Sequence, residues 1–381
     1  MKNIILPENV KLIIDTIENK GYEAWCVGGC VRDILMNKKV NDYDIASNCP
    51  AIEIFSMFDK VIDTGLKHGT VTVVLGDENY EITQYRIDGE YLDSRHPENL
   101  TFTNSFRVDL SRRDFTMNAI GYHYKRGIYD PFGGRQAIDK KTIVAVGEPD
   151  LRFKEDALRI LRAFRFSSVL NFSIEENTKR AALNNKHLLN NISKERIREE
   201  LFKLLSGENL AVLSDLFQTD LSKLNQINNN LIVRFCALCI LLNKNAYDVA
   251  IELKTDRKQR KLAGLIFDAL IKPYPESKTE IKKNLSLIPQ NMWEDVLQAQ
   301  AVLKNKRIKD DLLKSIVKNN EPYLINHLDL SAEDKKQISK MYSGEQTKIL
   351  FEKLVDEVIK NPQNNKNKIL KELITQIGTN S

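Results

Sequence analysis

The chain has 381 residues, of which 42% are hydrophobic and 29% are charged. This length exceeds what one compact core holds, so we expect roughly two to four domains. The composition is that of a folded globular protein and excludes a disordered chain. Its 57 Lys and Arg residues outnumber the 52 Asp and Glu residues by five, which permits a nucleic-acid partner but does not predict one.

The N-terminal segment predicts a helix. Pro7 and Gly21 bracket a stretch with helical apolar spacing, and Pro7 comes too soon for a secretory signal. No run of about 20 apolar residues is present along the sequence, so no membrane-spanning helix is predicted. We therefore expect a cytoplasmic protein without membrane association and without an obligate protein partner.

The five cysteines do not form a disulfide pattern, because their number is odd and they lie far apart. Cys236 and Cys239 have the spacing of a metal or redox pair. They lie, however, inside the apolar run 231–242, and no second pair is nearby. We therefore predict a buried helix here rather than a metal or redox site.

The first 130 or so residues predict mixed α/β structure. The segment Ala51–Phe58, which lies between the second and third predicted strands, has helical apolar spacing. The segment Tyr91–Asn104, after the fourth predicted strand, is polar and aperiodic, as a flexible loop would be. The predicted strands are Glu23–Val27, Tyr43–Ala46, Thr70–Leu75 and Tyr80–Arg86.

The rest of the chain predicts helices. Asp130–Gly134 is a turn cluster suited to a hinge, and strand patterns end after Glu148–Asp150. Polar connectors separate the helical segments that follow. These connectors are Gln226–Asn230, Lys272–Ser277 and Asn361–Asn367.

A glycine pair follows the first predicted strand and opens a short helix. Gly28 and Gly29 allow backbone amides to approach a ligand, and the start of a helix favours anions. A simple tight turn explains the same pair equally well. The pair therefore indicates an anion site only together with other residues.

Two carboxylates provide that support. Asp42 and Asp44 flank one residue at the start of a predicted strand, so both side chains project on the same face. Adjacent carboxylates repel unless a cation neutralises them, and such pairs hold Mg²⁺ in phosphoryl transfer. Glu81, on a later strand, would add a third carboxylate if the strand order permits. The alternative is a solvated acidic turn.

A second basic segment suits phosphate oxygens. Arg112 and Arg113 carry forked donors, and Asp114 and Asn118 would share one face if a helix began here, where they could hold a ribose. Adjacent arginines elsewhere usually form an exposed basic patch, so the spacing alone leaves both interpretations open.

The predicted helix 152–166 carries an acid and a base three residues apart. Asp156 and Arg159 could form an intrahelical salt bridge. They could instead recognise a base, since a carboxylate only accepts hydrogen bonds and a guanidinium only donates. Cytosine and adenine each present an amine donor beside a ring acceptor and fit this pair; guanine and uracil present the reverse order and would be rejected.

Five segments occur in an order that resembles the class II tRNA nucleotidyltransferases and bacterial poly(A) polymerases of the DNA polymerase β superfamily. Five such segments between about residues 20 and 205 are very unlikely by chance, whereas no motif follows residue 210 or so. The segments are residues 28–33 with 42–44, 112–119, 129–147, 155–159 and 193–197.

The resemblance implies an α+β protein: an N-terminal DNA polymerase β-like nucleotidyltransferase head with a mixed sheet and helices, then an all-helical neck, body and tail. The implied bounds are 1–135 for the catalytic head, 136–207 for the neck, 208–290 for the body and 291–381 for a tRNA-binding tail. The implied cofactor is Mg²⁺, held by Asp42 and Asp44, with Glu81 as a further catalytic carboxylate. Glu155 would orient Arg159, and residues 193–197 would steady the base-recognition helix. The implied nucleotide-binding residues are Gly29, Arg32, Arg112, Arg113, Asp114, Asn118, Asp156, Arg159, Arg162 and Arg165.

The expected reaction is the addition of CCA to the 3′ end of tRNA from CTP and ATP, with release of pyrophosphate. Residues 93–103 resemble the flexible loop of CCA-adding and A-adding enzymes, and residues 121–127 lack the arginine-rich signature of poly(A) polymerases. Addition of A alone is the first alternative, and poly(A) synthesis the second. A non-catalytic RNA-binding protein and a small-molecule nucleotidyltransferase are alternatives of other classes.

Basic residues of the C-terminal half are candidates for tRNA phosphate contacts, which position RNA without reading its sequence. Each one taken alone is more typical of solvated surface. The candidates are Lys304, Lys306, Arg307, Lys309, Lys366, Lys368 and Lys371.

Overall fold

The computed structural model describes residues 4–88 and 100–379. The chain forms two compact units, Met1–Thr219 and Asp220–Ser381. Among the residues described, no helix has the length and apolar character needed to span a bilayer.

The first unit contains all the strands that the described residues form. In chain order they are β1 (Ala24–Val27), β2 (Asp44–Ser47), β3 (Val61–Gly65), β4 (Thr70–Leu75), β5 (Glu78–Gln84), β6 (Arg86–Asp88), β7 (Leu100–Phe102), β8 (Gly121–His123), β9 (Gly127–Tyr129), β10 (Thr142–Ile143) and β11 (Ser173–Ile174). Its helices are α1 (Glu8–Glu18), α2 (Gly29–Leu35), α3 (Ala51–Ile54), α4 (Phe106–Ser111), α5 (Gly134–Asp139), α6 (Pro149–Glu155), α7 (Leu158–Leu170), α8 (Glu176–Asn184), α9 (Lys194–Leu205) and α10 (Leu213–Phe217).

Seven strands form one mixed sheet in the order β3-β4-β5-β2-β1-β8-β9. The β2–β5 pair is parallel and the other neighbours are antiparallel. The register pairs Val27 with Asp44 and Asp44 with Glu81, so the end of β1, the start of β2 and part of β5 lie side by side. The predicted α+β class is confirmed, and this arrangement gathers the candidate site at one place on the sheet.

Apolar faces of the helices close the core of this unit. Helix α1 buries Val10, Ile13, Ile14 and Ile17 in the same cluster as residues of β1, β2, β4 and β5. A second cluster around Trp25 and Phe106 includes part of β1 and helix α4. The helix predicted between Pro7 and Gly21 is thus present, and Gly21 follows it with a positive φ of 88°.

The four predicted strands of the first unit are present as β1, β2, β4 and β5, but other elements differ from the prediction. Strands β8 to β11 were not predicted, because each has only two or three residues, and β11 lies beyond residue 150, where strand patterns were expected to end. Strand β3 was not predicted, because most of its residues are exposed and show no apolar alternation. The predicted helix 51–58 ends at Ile54. Strand β7 pairs with β6, where the sequence predicted an irregular loop over residues 91–104. Residues 91–99 of that predicted loop lie outside the described part of the chain.

The second unit is helical throughout its described residues. Its helices are α11 (Leu231–Leu241), α12 (Ala246–Glu252), α13 (Arg257–Ile271), α14 (Lys278–Leu285), α15 (Trp293–Lys304), α16 (Asp310–Lys318), α17 (Ala332–Met341), α18 (Gly344–Lys360) and α19 (Asn367–Thr379). Cys236 and Cys239 are both buried in α11, which confirms the buried-helix prediction, and burial raises the pKa of Cys239 to about 12.

Candidate active site

The turn between β1 and α2 brings backbone close to two functional side chains. Gly28 has a φ of 75°, which side-chain-bearing residues rarely adopt. A Cβ added there would lie 3.0 Å from Nη1 of Arg113 and 3.6 Å from Oδ2 of Asp44. Glycine is therefore required at this position, and the turn, Arg113 and Asp44 meet at one point.

The carboxylates of β2 and β5 lie on adjacent strands. The Asp44 side chain is exposed but lies in a concave surface, where desolvation raises its pKa; Arg113 opposes this effect and Asp42 adds to it. Desolvation and the charge of Asp44 likewise raise the pKa of Glu81. A bound cation would relieve this repulsion, so the Asp42–Asp44 pair fits Mg²⁺ in chemistry. Within residues 4–88 and 100–379, however, no three His, Cys, Asp or Glu residues are grouped to hold a metal.

A pocket of about 230 Å³ opens beside these carboxylates. Both carboxylates and arginines line it, as a site for a metal–phosphate ligand requires. Its lining residues are Val27, Asp44, Ile45, Thr70, Glu81, Thr83, Arg86, Arg112 and Arg113.

The guanidinium groups of Arg112 and Arg113 are oriented by Asp109, which was not among the predicted site residues. Asp109, fully buried in α4, accepts from Nε of Arg112 at 3.0 Å and from Nη2 of Arg113 at 3.4 Å. The spacing of three and four residues in a helix was the available signal.

Asp114 and Asn118 lie together, as predicted, although the turn between them is a 3₁₀ helix, Thr116–Asn118. Nδ2 of Asn118 donates to Asp114 at 3.0 Å, and Nη1 of Arg32 donates to Oδ1 of Asn118 at 2.8 Å. Arg162 donates to the other oxygen of Asp114 through Nε at 2.7 Å. Burial alone would raise the pKa of Asp114, but Arg162 and Asn118 lower it to about 2.

Three predicted nucleotide-binding arginines surround one aromatic ring. The guanidinium carbons of Arg32, Arg162 and Arg165 lie 5.1, 5.4 and 4.0 Å from the centre of the Phe166 ring. Nε of Arg165 also lies 2.8 Å from the buried carboxylate of Glu200. Phe166 and Glu200 were not among the predicted site residues. Glu200 lies on α9 and is brought to α7 only by the tertiary fold, whereas Phe166 lies on α7 four residues after Arg162 and could have been found from helical spacing.

The segment predicted to recognise the base is not the single helix 152–166 that the sequence predicted. Helix α6 ends at Glu155, Asp156 has extended backbone with φ −138° and ψ 101°, and α7 begins at Leu158. Oδ1 of Asp156 accepts from the amide of Leu158 at 3.0 Å, as a helix-capping side chain does. The two functional residues therefore lie on either side of a break.

The break also changes the partners of the two residues. Asp156 pairs with Arg196 of α9 at 2.9 Å, and Arg159 pairs with Glu155 at 2.7 Å. The alternative of an Asp156–Arg159 salt bridge is thus not realised among the described ion pairs, and the predicted contact of Glu155 with Arg159 is confirmed. Nη2 of Arg159 further donates to the carbonyl of Arg112 at 2.8 Å.

Several candidate RNA-binding lysines have partners inside the second unit. Lys306 and Lys309 both pair with Glu276, and Lys371 pairs with Asp334 at 2.8 Å. A stronger basic surface was missed at the start of α13 and could have been found from its run of charges. That surface, the α13 basic patch, consists of Arg257, Lys258, Arg260 and Lys261.

Comparison with known proteins supports this picture in both sequence and structure. The family described as Poly A polymerase head domain matches residues 24–144, and that described as probable RNA and SrmB-binding site of polymerase A matches residues 171–224. A CCA-adding enzyme of Geobacillus thermodenitrificans is 51% identical over 195 residues, which are 51% of this chain and 48% of that protein. One of Lactobacillus delbrueckii is 45% identical over 212 residues, 55% of this chain and 54% of that protein. The matched part therefore spans about half the length of these curated relatives.

One solved structure extends the likeness to the whole chain. The crystal structure of the Bacillus stearothermophilus CCA-adding enzyme in complex with CTP is 30% identical and superimposes with a TM-score of 0.82. The similarity covers 99% of this chain and 99% of that one. This chain therefore belongs to the family of class II tRNA nucleotidyltransferases, the family of CCA-adding enzymes and bacterial poly(A) polymerases.

Proposed function

We propose that this protein adds C and A to the 3′ end of tRNA and so completes the CCA terminus, using CTP and ATP and releasing pyrophosphate. The observation that carries the proposal is the pair Asp156 and Arg159, each held by a different partner. Arg159 also donates to the carbonyl of Arg112, a residue that lines the pocket. An acceptor fixed by Arg196 and a donor fixed by Glu155 present a constant hydrogen-bonding pattern without a nucleic-acid template.

That pattern selects bases through their hydrogen-bonding edges. Cytosine and adenine place an amine donor opposite Asp156 and a ring acceptor opposite Arg159. Guanine and uracil would place an acceptor against the carboxylate and leave buried polar groups unpaired, which costs about 1–3 kcal/mol per group. The site thus favours the two bases that a CCA end requires.

The carboxylates supply the other half of the reaction. Asp42 and Asp44 would hold Mg²⁺, which supplies activation of the 3′-hydroxyl and charge neutralisation on the triphosphate. Glu81 lies beside Asp44 as a third carboxylate, and Arg113 lies between the glycine turn and Asp44, where it can receive a phosphate oxygen. The 3′-oxygen forms a bond to the α-phosphorus, and the bond to pyrophosphate breaks.

The nucleotide-binding assignments follow from the same arrangement. Arg32, Asn118 and Asp114 form one hydrogen-bonded chain suited to ribose and phosphate, with Arg162 and Arg165 beside it. We assign residues 1–135 to the catalytic head, 136–207 to the neck, 208–290 to the body and 291–381 to the tail, with tRNA contacts in the helical part. The reaction belongs in the cytoplasm, where tRNA, CTP and ATP occur together.

The test uses purified protein, Mg²⁺ and tRNA transcripts that end at the discriminator base, at C or at CC, each with CTP, ATP or both. Growth of all three to CCA and no further is the expected result. Extension of the CC-ended transcript alone would replace the proposal by A addition, and a long A tail would replace it by poly(A) synthesis. Absence of product, with tRNA binding retained, would indicate a non-catalytic RNA-binding protein.

A further inference from the structure

Asp109 is a buried acid that the proposed reaction does not use directly. It has no exposed surface, and each of its oxygens has a donor. Oδ1 lies 3.0 Å from Nε and 2.9 Å from Nη2 of Arg112 and also accepts from the backbone amide of Arg86 at 3.3 Å. Oδ2 accepts from Nη2 of Arg113 at 3.4 Å. One carboxylate therefore fixes the side chains of two of the three arginines that line the pocket, Arg112 and Arg113.

A charge without exposure is stable only when it is paired, so removal of either partner is costly. Asp109 is three residues before Arg112 and four before Arg113, which places all three on one side of the end of α4. The two guanidinium groups are thereby oriented before any ligand arrives. Pre-orientation matters because a mobile arginine side chain loses rotamer entropy when it binds a ligand.

Arg113 lies between two carboxylates. Its Nη2 donates to Oδ2 of Asp109. A Cβ added to Gly28 would lie 3.0 Å from Nη1 of Arg113 and 3.6 Å from Oδ2 of Asp44, so these two atoms approach the same point. The Arg113 charge lowers the pKa of Asp44 but is not near enough for an ion pair within 4.0 Å among the described contacts. Without Asp109, Arg113 would still lie close to the carboxylate of Asp44, one of the two acids proposed for Mg²⁺.

The same helix end supports base recognition. The carbonyl of Ser111 accepts from Nη1 of Arg152 at 3.1 Å, and that of Arg112 accepts from Nη2 of Arg159 at 2.8 Å. These carbonyls lie at the C-terminal end of α4, where cationic donors commonly satisfy the last carbonyls of a helix. The end of α4 thus contacts the phosphate side and the base side of the site.

We propose that Asp109 is a positioning residue: it holds Arg112 and Arg113 toward the incoming triphosphate and keeps Arg113 from closing onto Asp44. The inference rests on the proposed nucleotidyl transfer. It adds to that reaction a buried anion that never touches the substrate but sets the two cations that do.

The test is the substitution Asp109→Asn, which removes the negative charge of the side chain and keeps its shape. The dissociation constant for CTP, measured by calorimetry without tRNA, and KM for CTP in the incorporation assay should both rise about tenfold, since Arg113 must then leave Asp44 to bind phosphate. The kcat at saturating CTP should fall less than threefold. Asp109→Glu, which restores the charge, should recover most of the CTP affinity.

The matched control is Ser105→Ala. Ser105 caps the start of α4 through a hydrogen bond from the amide of Val108 at 3.4 Å, so its loss weakens the helix without removing the charge. CTP affinity should stay within twofold of the wild type. An equal loss in Ser105→Ala, or wild-type CTP affinity in Asp109→Asn, would overturn the positioning role.

A second variant approaches the contact from the other partner. Arg113→Lys keeps the charge but has a single nitrogen, which cannot contact Asp109 and face Gly28 at once. Arg113→Lys should also weaken CTP binding about tenfold, and the double variant should bind CTP no more weakly than either single variant. Additive losses in the double variant contradict the proposal. Wild-type CTP affinity in Arg113→Lys contradicts it too, and this outcome can be measured even if Asp109→Asn does not fold. Failure of the wild type itself to incorporate nucleotides would instead reject the proposed function.

Discussion

Asp114 is a buried carboxylate whose titration depends on its partners. Arg162 and Asn118 overcome the effect of burial and hold its pKa at about 2, below the ordinary value of 3.8. For an acid with a lowered folded pKa, the stabilisation is present above the unfolded pKa and is lost as the pH falls from about 4 to 2. A shift of nearly two units corresponds to about 2 kcal/mol.

Asp114→Asn should therefore lower the free energy of unfolding of the first unit by about 2 kcal/mol at pH 7 and by much less at pH 2.5. The free energy of unfolding is measured by urea unfolding followed by Trp25 fluorescence. The protein has two tryptophans, so both variant and parent carry Trp293→Phe, which leaves Trp25 as the fluorescent residue. A difference between variant and parent that does not change with pH would contradict the assigned ion pair with Arg162.

The environment of Asp44 leads to a second prediction, which concerns nucleotide incorporation. Its raised pKa reflects desolvation and the repulsion of Asp42, and a divalent cation would remove that penalty. Asp44→Asn should lower incorporation of CMP into tRNA at least a thousandfold, with tRNA affinity unchanged in a filter-binding assay. Asp59→Asn, at an exposed position elsewhere in the head, is the control and should retain full activity. Turnover retained in Asp44→Asn would reject the metal assignment.

The sequence predicted individual site residues better than their partners. The glycine turn and the Asp42–Asp44 spacing are local patterns, so they could be identified without the fold. The neighbour relation of Asp44 and Glu81 depends on the parallel pairing of β2 with β5, which no local pattern specifies. The contact of Arg165 with Glu200 joins α7 and α9 and was likewise invisible, whereas Asp109 could have been found from its helical spacing.

At the scale of elements, the break between α6 and α7 is the main difference from expectation. Apolar spacing continues across it, and neither proline nor glycine marks it, so one helix was predicted. The remaining signal was Asp156 itself, since aspartate favours helix starts and here accepts from the amide of Leu158. The break turns the Asp156 side chain toward Arg196 of α9 instead of Arg159.

This tertiary contact predicts a role for Arg196 in base choice. Arg196→Gln should leave Asp156 without its fixed orientation, so that the preference of CTP and ATP over UTP and GTP, measured as ratios of kcat/KM, falls at least tenfold. Arg180→Gln is the control, because Arg180 is exposed on α8 and its Nη2 donates to Asn177 of the same helix. Unchanged discrimination in Arg196→Gln would reject the idea that α9 steadies the base-recognition pair.

For the whole molecule, the sequence correctly predicted an α+β head followed by helices, because the change from alternating to helical spacing near residue 148 is strong. The sequence was less informative about which basic residues are available for tRNA phosphates, because it does not show which lysines pair with acidic residues in the fold. Lys306, Lys309 and Lys371 have acidic partners in the second unit. Their charges are therefore partly neutralised before RNA arrives.

The α13 basic patch is the better candidate for tRNA phosphates. Its four cations occupy the first two turns of a 15-residue helix, and three of the four are exposed. None of them forms an ion pair among the described residues, although Nε of Arg260 donates to the carbonyl of Asp256 at 3.4 Å. Each phosphate contact contributes about 0.9 to the slope of log affinity against log salt for a duplex.

Replacement of all four patch residues by Gln should therefore reduce that slope for tRNA by about 3.6 and raise KM for tRNA at least tenfold. The dissociation constant for CTP should not change, because every proposed nucleotide-binding residue lies in Met1–Thr219 and the patch lies in Asp220–Ser381. The matched control removes four paired lysines, Lys283, Lys306, Lys309 and Lys371. It changes the net charge by the same amount, so an equal loss of tRNA affinity in patch and control would mean that the overall charge, and not this surface, attracts the RNA.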